Sequence, residues 1–275
     1  TVAAAGDLNR DGVLDFAVMS ALDSDFTRFN ANKVYVLSVG PPVPTAAPTI
    51  APTTAPANPP TVAPSTIAPT AASGPVVWHD VDFSGDYRAQ MKSSYAVLGV
   101  ANDQLGATVD APDMYIRPVG DFNGDGIDDL LVGARSREDS HGGAYLILGK
   151  DGAQPGTPDL DLSTFVSGST TGMRMKGHTS YSHAGDAVGG GGDFNGDGFK
   201  DIIIGSGKHG GMRGIAYVIY GHNATMRPFE DIYLGAFGTG AAGFVIIGAT
   251  SDGMLGAAVS HAGVMNSDTF DDIIV

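Results

Sequence analysis

The sequence predicts an all-β fold built from repeated units, and three observations lead to this prediction. A motif rich in glycine and aspartate recurs along the chain, and its last three copies are spaced about 70 residues apart. Each complete copy leads into a short apolar run, and a second apolar strand follows about a dozen residues later. No segment shows helical periodicity. The motif copies occupy residues 6–18, 120–133, 192–205 and 263–275, and the second strands occupy 34–37, 144–148 and 215–220. A period near 70 residues with about four strands is the size of one β-propeller blade.

Each repeat is expected to open with a short glycine-containing strand, at residues 105–109, 184–188 and 255–259. By that criterion, residues 1–40 lack a first strand and residues 222–275 lack their last two. Open blade edges of this kind are templates for pairing with other copies of the chain or with neighbouring repeats. The expected domains are a partial blade at 1–40 (the end of one propeller or a first blade), a linker at 41–75, and blades at 76–150, 151–221 and, incompletely, 222–275.

The linker differs in composition from the rest of the chain. Residues 41–75 hold most of the 16 prolines and no charged side chain. Proline fixes φ and removes a backbone donor, so we expect an extended, polyproline-II-like rod. It is either a passive spacer or a stalk that carries O-linked sugars. Its position at a blade junction favours a boundary between two propellers, and the alternative is a long insertion in one propeller. The candidate sugar acceptors are Thr45, Thr49, Thr53, Thr54, Thr61, Thr66 and Thr70.

The motif contains the spacing Asp-x-Asn-x-Asp-Gly-x-x-Asp, which defines nine positions of a tight loop. Side chains at positions one, three, five and nine, with the carbonyl at position seven, can converge on one point. Calcium takes about six to eight oxygen ligands, mostly carboxylates and carbonyls, and the glycine at position six permits the sharp turn. We predict three calcium sites, and the alternative is ordinary Asx turns between strands. The predicted ligands are Asp7, Asn9, Asp11, Val13 and Asp15 in loop 1 (7–15), Asp121, Asn123, Asp125, Ile127 and Asp129 in loop 2 (121–129), and Asp193, Asn195, Asp197, Phe199 and Asp201 in loop 3 (193–201).

The fourth copy of the loop is altered. Loop 4 (264–272) has Val264 at position one and Thr269 at position six. It therefore loses one carboxylate ligand, and the turn glycine is replaced by a β-branched residue that disfavours positive φ. Because affinity depends on the number and charge of the ligands, we predict weak calcium binding or none at this loop.

These residues resemble the FG-GAP repeat. The resemblance is carried by Leu-Gly-Ala-Thr-Val at 105–109, by the motif and following strand at 120–134, and by the closing strand at 143–149, and it covers residues 1–40 and 76–275. FG-GAP repeats form the blades of the integrin α-subunit propeller and of related extracellular proteins. The resemblance implies a calcium-stabilised propeller with the ions in its blade loops. It does not fix a function, since such repeats occur in adhesion receptors, secreted enzymes and surface fibres.

Composition and motifs argue against several functional classes. The net charge of −15 disfavours nucleic acid as a partner. The absence of cysteine excludes a disulfide scaffold and a thiol nucleophile, and no apolar run is long enough to span a bilayer. Residues 205–210 match Gly-x-Gly-x-x-Gly, but no helix is predicted after them. The seven histidines are interpreted mostly as solvated loop residues, and we predict no catalytic residue and no organic cofactor.

A sequon for N-glycosylation, Asn223-Ala224-Thr225, lies in a predicted loop. Together with the Thr/Pro linker it favours an extracellular glycoprotein, secreted or on the cell surface. We expect a non-enzymatic, calcium-binding protein with a structural or adhesive role, for which a repeating subunit of a surface fibre or filament is one form. Its expected partners are other copies of itself and an extracellular protein or glycan. The alternative is the propeller portion of a secreted enzyme or lectin whose active residues lie outside this chain.

Overall fold

The computed structural model describes residues 2–10, 12–20, 33–38, 93–100, 103, 105, 115–151 and 158–275. Within these ranges the protein is all-β, with several sheets and almost no helix, as the sequence predicts. The predicted linker with its seven threonines lies outside them, and so does Asp11. The helical elements that the structure describes are two four-residue turns, Arg137–Ser140 and His209–Met212, and two 3-10 turns, Leu162–Thr164 and Leu234–Ala236. None of them has the length and apolar character that crossing a membrane requires.

The strands are numbered in chain order. They are β1 (Val2–Gly6), β2 (Asp15–Ser20), β3 (Lys33–Ser38), β4 (Ser93–Leu98), β5 (Ile116–Gly120), β6 (Asp129–Gly133), β7 (Gly143–Ile147), β8 (Leu160–Asp161), β9 (Gly172–Lys176), β10 (Ala187–Gly192), β11 (Asp201–Ser206), β12 (Ile215–Ile219), β13 (Ile232–Tyr233), β14 (Gly243–Ile247), β15 (Ser260–Gly263) and β16 (Asp272–Ile274).

Three sheets share one antiparallel strand order. Sheet 1 runs β1-β2-β3-β4, sheet 2 runs β5-β6-β7-β9, and sheet 3 runs β10-β11-β12-β14. A two-residue strand adds in parallel to the outer edge of the first two, β8 to β4 and β13 to β9. In the described part of the chain, sheet 4 consists of β15 and β16. Each complete sheet therefore has an inner, a second, a third and an outer strand, which is the order expected of a blade.

The sheets pack against one another and bury apolar strands between them. The inner strand of each sheet contacts the inner strand of the next. Ile202, Ile203 and Ile204 of β11 are all fully buried, as expected for a strand that is covered on both faces and therefore does not alternate. One core cluster joins sheets 1 and 2, and a second joins sheets 2 and 3.

The inner strands do not lie where the sequence prediction placed them. β10 begins three residues after the start of the predicted strand 184–188 and runs directly into loop 3, and β15 follows the predicted strand 255–259 instead of coinciding with it. In place of a strand, the backbone N–H groups of Ala184 and Gly185 bond to the neighbouring turn and strand, at His141 O (3.1 Å) and Gly205 O (2.9 Å). Most of the third predicted strand, 106–109, lies outside the described residues. The prediction that residues 1–40 lack a first strand is wrong, because β1 pairs with β2 as the inner strand.

The outer strand of sheet 1 comes from the far side of the predicted linker. β4 pairs antiparallel with β3, from Lys33 opposite Leu98 to Ser38 opposite Ser93, and sheet 1 shares a core with sheet 2. These contacts favour the alternative in which residues 1–40 begin the same array and the linker is an insertion. Because β9 and β14 likewise pair with the strands before them, each sheet takes its outer strand from the sequence that follows its third strand. The domain boundaries themselves stay a prediction.

Candidate metal loops

Loops 1, 2 and 3 occupy equivalent places in consecutive sheets. Each joins the inner strand to the second strand, so loop 1 connects β1 to β2, loop 2 connects β5 to β6, and loop 3 connects β10 to β11. The inner strand ends in a register shift at Gly6, Gly120 or Gly192, a β-bulge that bends the strand and ends its regular pairing. The three loops therefore leave the same end of three neighbouring inner strands.

In loop 2 the position-one carboxylate organises the turn. Asp121 Oδ1 accepts hydrogen bonds from the backbone N–H groups of Gly124 (2.6 Å) and Asp125 (3.0 Å), and its Oδ2 accepts from that of Gly126 (2.8 Å). At position five, Asp125 Oδ1 accepts from the N–H of Ile127 (2.9 Å). Both carboxylates are therefore directed towards the amides of their own loop.

Loop 3 repeats this network. Asp193 accepts from the N–H groups of Gly196 (2.7 Å), Asp197 (3.0 Å) and Gly198 (2.9 Å). The amide of Asn195 donates to Asp197 Oδ2 (2.8 Å), as Asn123 does to Asp125. Gly196 and Gly198 have φ of +75° and +91°, where glycine is favoured because it carries no Cβ. The spacing of the motif therefore reproduces the same loop conformation in two different sheets.

The position-nine aspartate anchors loops 2 and 3 to the rest of their sheets. Asp129 is fully buried. Its Oδ2 accepts from the N–H of Phe122 (2.8 Å) and its Oδ1 from that of Gly149 (2.8 Å), which follows the third strand. The corresponding bonds of Asp201 are to Phe194 (2.7 Å) and Gly221 (2.8 Å).

These buried carboxylates lie in an electrostatic environment that favours a cation. Burial raises the pKa of Asp129 to about 8 and that of Asp201 to about 7. The bonds from backbone N–H groups act in the opposite direction, whereas the carboxylates at positions one and five raise the pKa further. A positive charge within the loop would stabilise the ionised form of all three carboxylates.

Loop 1 has part of the same network in the residues that the structure describes. Asp7 Oδ2 accepts from the N–H of Gly12 (2.8 Å), and Asp15 Oδ2 accepts from that of Leu8 (2.8 Å). Position four is Arg10, which has a φ of +56° where loops 2 and 3 have glycine. The ligands Asp7, Asn9, Val13 and Asp15 predicted for this loop fall within the described residues, and Asp11 falls outside them.

Loop 4 retains the position-nine bond to the start of the loop and lacks the centre of the network. Asp272 Oδ2 accepts from the N–H of Met265 (2.6 Å), as its counterparts do in the other loops. Val264 supplies no carboxylate at position one, and neither Ser267 nor Thr269 has the positive φ of the glycines at positions four and six. This loop therefore turns differently from loops 2 and 3.

The donor set of loops 2 and 3 fits calcium by its chemistry, since it consists of carboxylate, amide and main-chain carbonyl oxygens. An ionised carboxylate has about four acceptor sites. The position-one carboxylate accepts three backbone bonds in each of these loops and the position-nine carboxylate two, so both keep room for a cation. Acidic and imidazole side chains alone do not form such a site. Across the described ranges, no three His, Cys, Asp or Glu side chains form a group that could hold a metal ion. An ion would need the position-three asparagine and the position-seven carbonyl in addition.

Residues 118–146 match the family model of the FG-GAP repeat. The match runs from the end of β5 through loop 2 and β6 into β7. The chain contains an FG-GAP repeat. The resemblance predicted from the sequence is thereby confirmed for the strand–loop–strand unit that carries the acidic network of loop 2.

Consecutive loops are bonded to each other, which sequence reasoning missed. The backbone N–H at position eight of each loop donates to the position-one carbonyl of the loop before it. Position eight is aspartate in loops 2 and 4 and lysine in loop 3, and the bond uses only the backbone, so the motif gives no sign of this contact. The bonds are Asp128 to Asp7 (3.2 Å), Lys200 to Asp121 (3.1 Å) and Asp271 to Asp193 (3.2 Å).

The sequon asparagine lies in a turn after the third strand of sheet 3. Asn223 Oδ1 accepts from the N–H (3.0 Å) and the hydroxyl (2.6 Å) of Thr225 and from the N–H of Met226 (3.0 Å). The amide nitrogen, to which a sugar would be attached, takes part in none of these bonds.

The interpretation of the histidines as solvated loop residues is wrong for His222. His222 is buried and packs against the rings of Phe122 and Phe229, with centroid distances of 5.6 Å and 4.6 Å. Burial lowers its pKa. Its position directly after Gly221 places it between sheets 2 and 3, where it completes the core around loop 2.

Proposed function

We propose that the protein is a calcium-binding β-propeller array of FG-GAP blades with a structural or adhesive role outside the cell and no enzymatic activity of its own. The observation that carries the proposal is the repetition of one acidic loop network at the same place in sheets 2 and 3. Ordinary turns between strands do not need three carboxylates in nine residues. Calcium accounts for this arrangement, because it is held by oxygen ligands that include several carboxylates.

In this proposal calcium stiffens the junctions between strands. Asp129 and Asp201 each connect the start of a loop to the end of a third strand through two backbone amides. Without a cation the neighbouring carboxylates repel one another, and the buried one is driven towards its neutral form. An ion bound to the loop would keep these anchors ionised and the loop ordered, so part of its binding free energy would become folding free energy.

The extracellular part of the proposal is supported by composition. Residues 41–75 are rich in threonine and proline, and the sequon at Asn223 lies on a turn. Strand edges at the ends of such an array suit association with other copies of the chain, as in a fibre or filament. An extracellular protein or a glycan is the other class of partner that we propose.

Calcium titration tests this function directly. Isothermal titration of the metal-free protein should show about three bound ions, and excess chelator should lower the melting temperature. One site saturated at 100 times its Kd adds about 2.7 kcal/mol of stability. At roughly 2–4 °C per kcal/mol this is a shift of about 5–10 °C.

Two variants separate loop binding from bulk charge effects. Asp197→Ala should remove one ion from the stoichiometry, whereas Glu230→Ala, which removes the same charge from an exposed position, should leave the count unchanged. A melting curve that chelator does not move would contradict the proposal, and so would a titration with no heat of calcium binding.

A further inference from the structure

The contact between consecutive loops has a second half that depends on the side chain at position eight. At the junction of loops 1 and 2, Asp128 Oδ2 accepts from the N–H of Asp7 (2.9 Å), while the N–H of Asp128 donates to the Asp7 carbonyl (3.2 Å). At the junction of loops 3 and 4, Asp271 bonds in the same way to Asp193, at 2.8 Å and 3.2 Å. Position eight thus holds both main-chain groups of position one in the preceding loop.

The junction of loops 2 and 3 has only the first half of this contact. Lys200 donates its N–H to the Asp121 carbonyl (3.1 Å), but its ammonium has no lone pair with which to accept from the Asp121 N–H. The Lys200 stem nevertheless follows the same path as the Asp128 side chain. An added Cβ on Gly120 would lie 2.9 Å from Lys200 Cγ, and one on Gly6 would lie 2.9 Å from Asp128 Cγ. The glycine before position one therefore makes room for the position-eight side chain at both junctions.

We propose that Asp128 and Asp271 are positioning residues for the calcium loop that precedes each of them, loop 1 and loop 3, although neither is a ligand of those loops. The inference rests on the proposed calcium-binding function. Position one supplies a ligand and, through its carboxylate, holds the N–H groups of positions four to six in loop 3. Fixing its main chain from both sides pre-organises that carboxylate, and pre-organisation raises affinity by reducing the ordering cost of binding.

The positioning role of Asp271 gives loop 4 a function, although this loop has lost its own position-one carboxylate. Asp271 Oδ2 accepts from the Asp193 N–H, and its Oδ1 faces His261 Nε2 at 3.5 Å. At position seven, the ring of Phe270 covers Gly196 of loop 3, such that an added Cβ there would lie 3.1 Å from Phe270 Cδ1. Loop 4 therefore supports loop 3 through positions seven and eight without holding an ion itself.

Loop 3 can be observed separately because of Tyr220. This residue directly precedes Gly221, whose N–H bonds to Asp201. Burial raises the pKa of Tyr220, and the charges of Asp201 and Asp197 raise it further. Loop 2 has Leu148 at the corresponding position. Terbium bound in loop 3 should therefore luminesce when tyrosine is excited. The part of the luminescence that is lost in the Tyr220→Phe variant comes from loop 3.

The test compares Asp271→Asn with Asp271→Ala, which have the same charge and differ in whether a side-chain oxygen can accept from the Asp193 N–H. Calcium is used to displace terbium from loop 3. The Asn variant should keep most of the parent affinity, and the Ala variant should bind about fivefold or more weakly, in the range of measured coupling between sites. Glu230→Gln and Glu230→Ala, at an exposed residue, form the matched control pair and should not differ.

A second pair of variants, at Lys200, keeps the test decisive if Asp271→Ala fails to fold, because here the expected result is a gain of calcium affinity. Lys200→Asn supplies the missing acceptor for the Asp121 N–H, and Lys200→Ala removes the same charge without supplying one. Isothermal titration of the two Lys200 variants should show tighter calcium binding in the Asn variant. Equal affinities within both Asn/Ala pairs, with calcium still bound, would overturn the positioning role and leave the proposed function intact. Absence of calcium binding in the parent protein would overturn both.

Discussion

Gly205 lies directly against the segment that precedes β15, and replacing it with alanine should destabilise the protein. The residue is buried in β11, and its carbonyl accepts from the N–H of Gly185 (2.9 Å). An alanine Cβ would lie 3.0 Å from the carbonyl carbon of Gly256, 3.2 Å from Cγ1 of Val259, and nearer still to the Gly256 carbonyl oxygen. The obstructing atoms belong mainly to the backbone, so the clash cannot be relieved by changing a rotamer, and β11 would have to move away from this segment.

The size of the effect follows from this geometry. Overpacking a buried site costs about 1–3 kcal/mol, and a clash with main chain belongs at the upper end. Glycine-to-alanine replacement also restricts the unfolded chain, which offsets about 0.4–1 kcal/mol. The expected net loss is therefore about 2 kcal/mol in the free energy of unfolding, or roughly 4–8 °C in melting temperature.

Urea unfolding followed by circular dichroism measures this loss, and Gly238→Ala is the matched control. Gly238 is exposed, has no atom within 4 Å of an added Cβ, and does not have a positive φ. The control should stay within about 0.5 kcal/mol of the parent, as surface substitutions usually do. If Gly205→Ala unfolds with the same free energy as Gly238→Ala, the close approach of β11 and the segment before β15 is not a constraint and the reasoning fails.

Three further predictions concern other parts of the chain. Asp268→Ala in loop 4 should leave the number of bound calcium ions at about three, because this loop lacks a position-one carboxylate, and a loss of one ion by titration would contradict this. Intact mass spectrometry of the protein from its native source should exceed the bare polypeptide mass through sugars at Asn223 and on residues 41–75, and equality of the two masses would rule this out. Burial acts to raise the pKa of Asp231, but hydrogen bonds from Arg174 and two other side chains hold it well below its ordinary value. This carboxylate therefore stabilises the fold above its unfolded pKa of about 4, and the stabilisation is lost as the pH falls through the folded value. Asp231→Asn should lower the free energy of unfolding at neutral pH by about 1 kcal/mol. The difference between variant and parent should become smaller as the pH falls below about 4. An equal difference at pH 3 and at pH 7 would contradict this prediction.

The second and third strands of each sheet could be predicted because their sequences are distinctive. The run Ile202 to Ile204 and the strand at 215–219 are continuously apolar, and the loop between inner and second strand has a fixed spacing. A strand that is buried on both faces is apolar along its whole length, so local composition was sufficient to predict these strands.

The inner strand of sheet 3 could not be recognised in the same way. Residues 189–192 are four consecutive glycines, a composition with low strand propensity. Their strand conformation is imposed by pairing with β11, and the close packing of the next sheet explains their lack of side chains: an added Cβ on Gly189 would lie 3.2 Å from the carbonyl oxygen of Val259. The hydrogen bonds between loops could not be predicted either, because they join residues that are far apart in sequence and whose side chains vary.

The two-residue strands on the outer edges give the array a direction. β8 covers the edge of sheet 1 and β13 covers that of sheet 2, and each is preceded by an aspartate that bonds to the strand it covers: Asp159 accepts from the Ala96 N–H (2.8 Å), and Asp231 pairs with Arg174. Sheets 1 and 2 are thus covered on their outer side by sequence that lies further along the chain. In a linear array, stability is roughly a sum of the units and their nearest-neighbour interfaces. Losing one unit should therefore expose the backbone edge of the unit before it, while the unit after it keeps its own cover, so that local unfolding spreads more easily towards the N-terminus than towards the C-terminus.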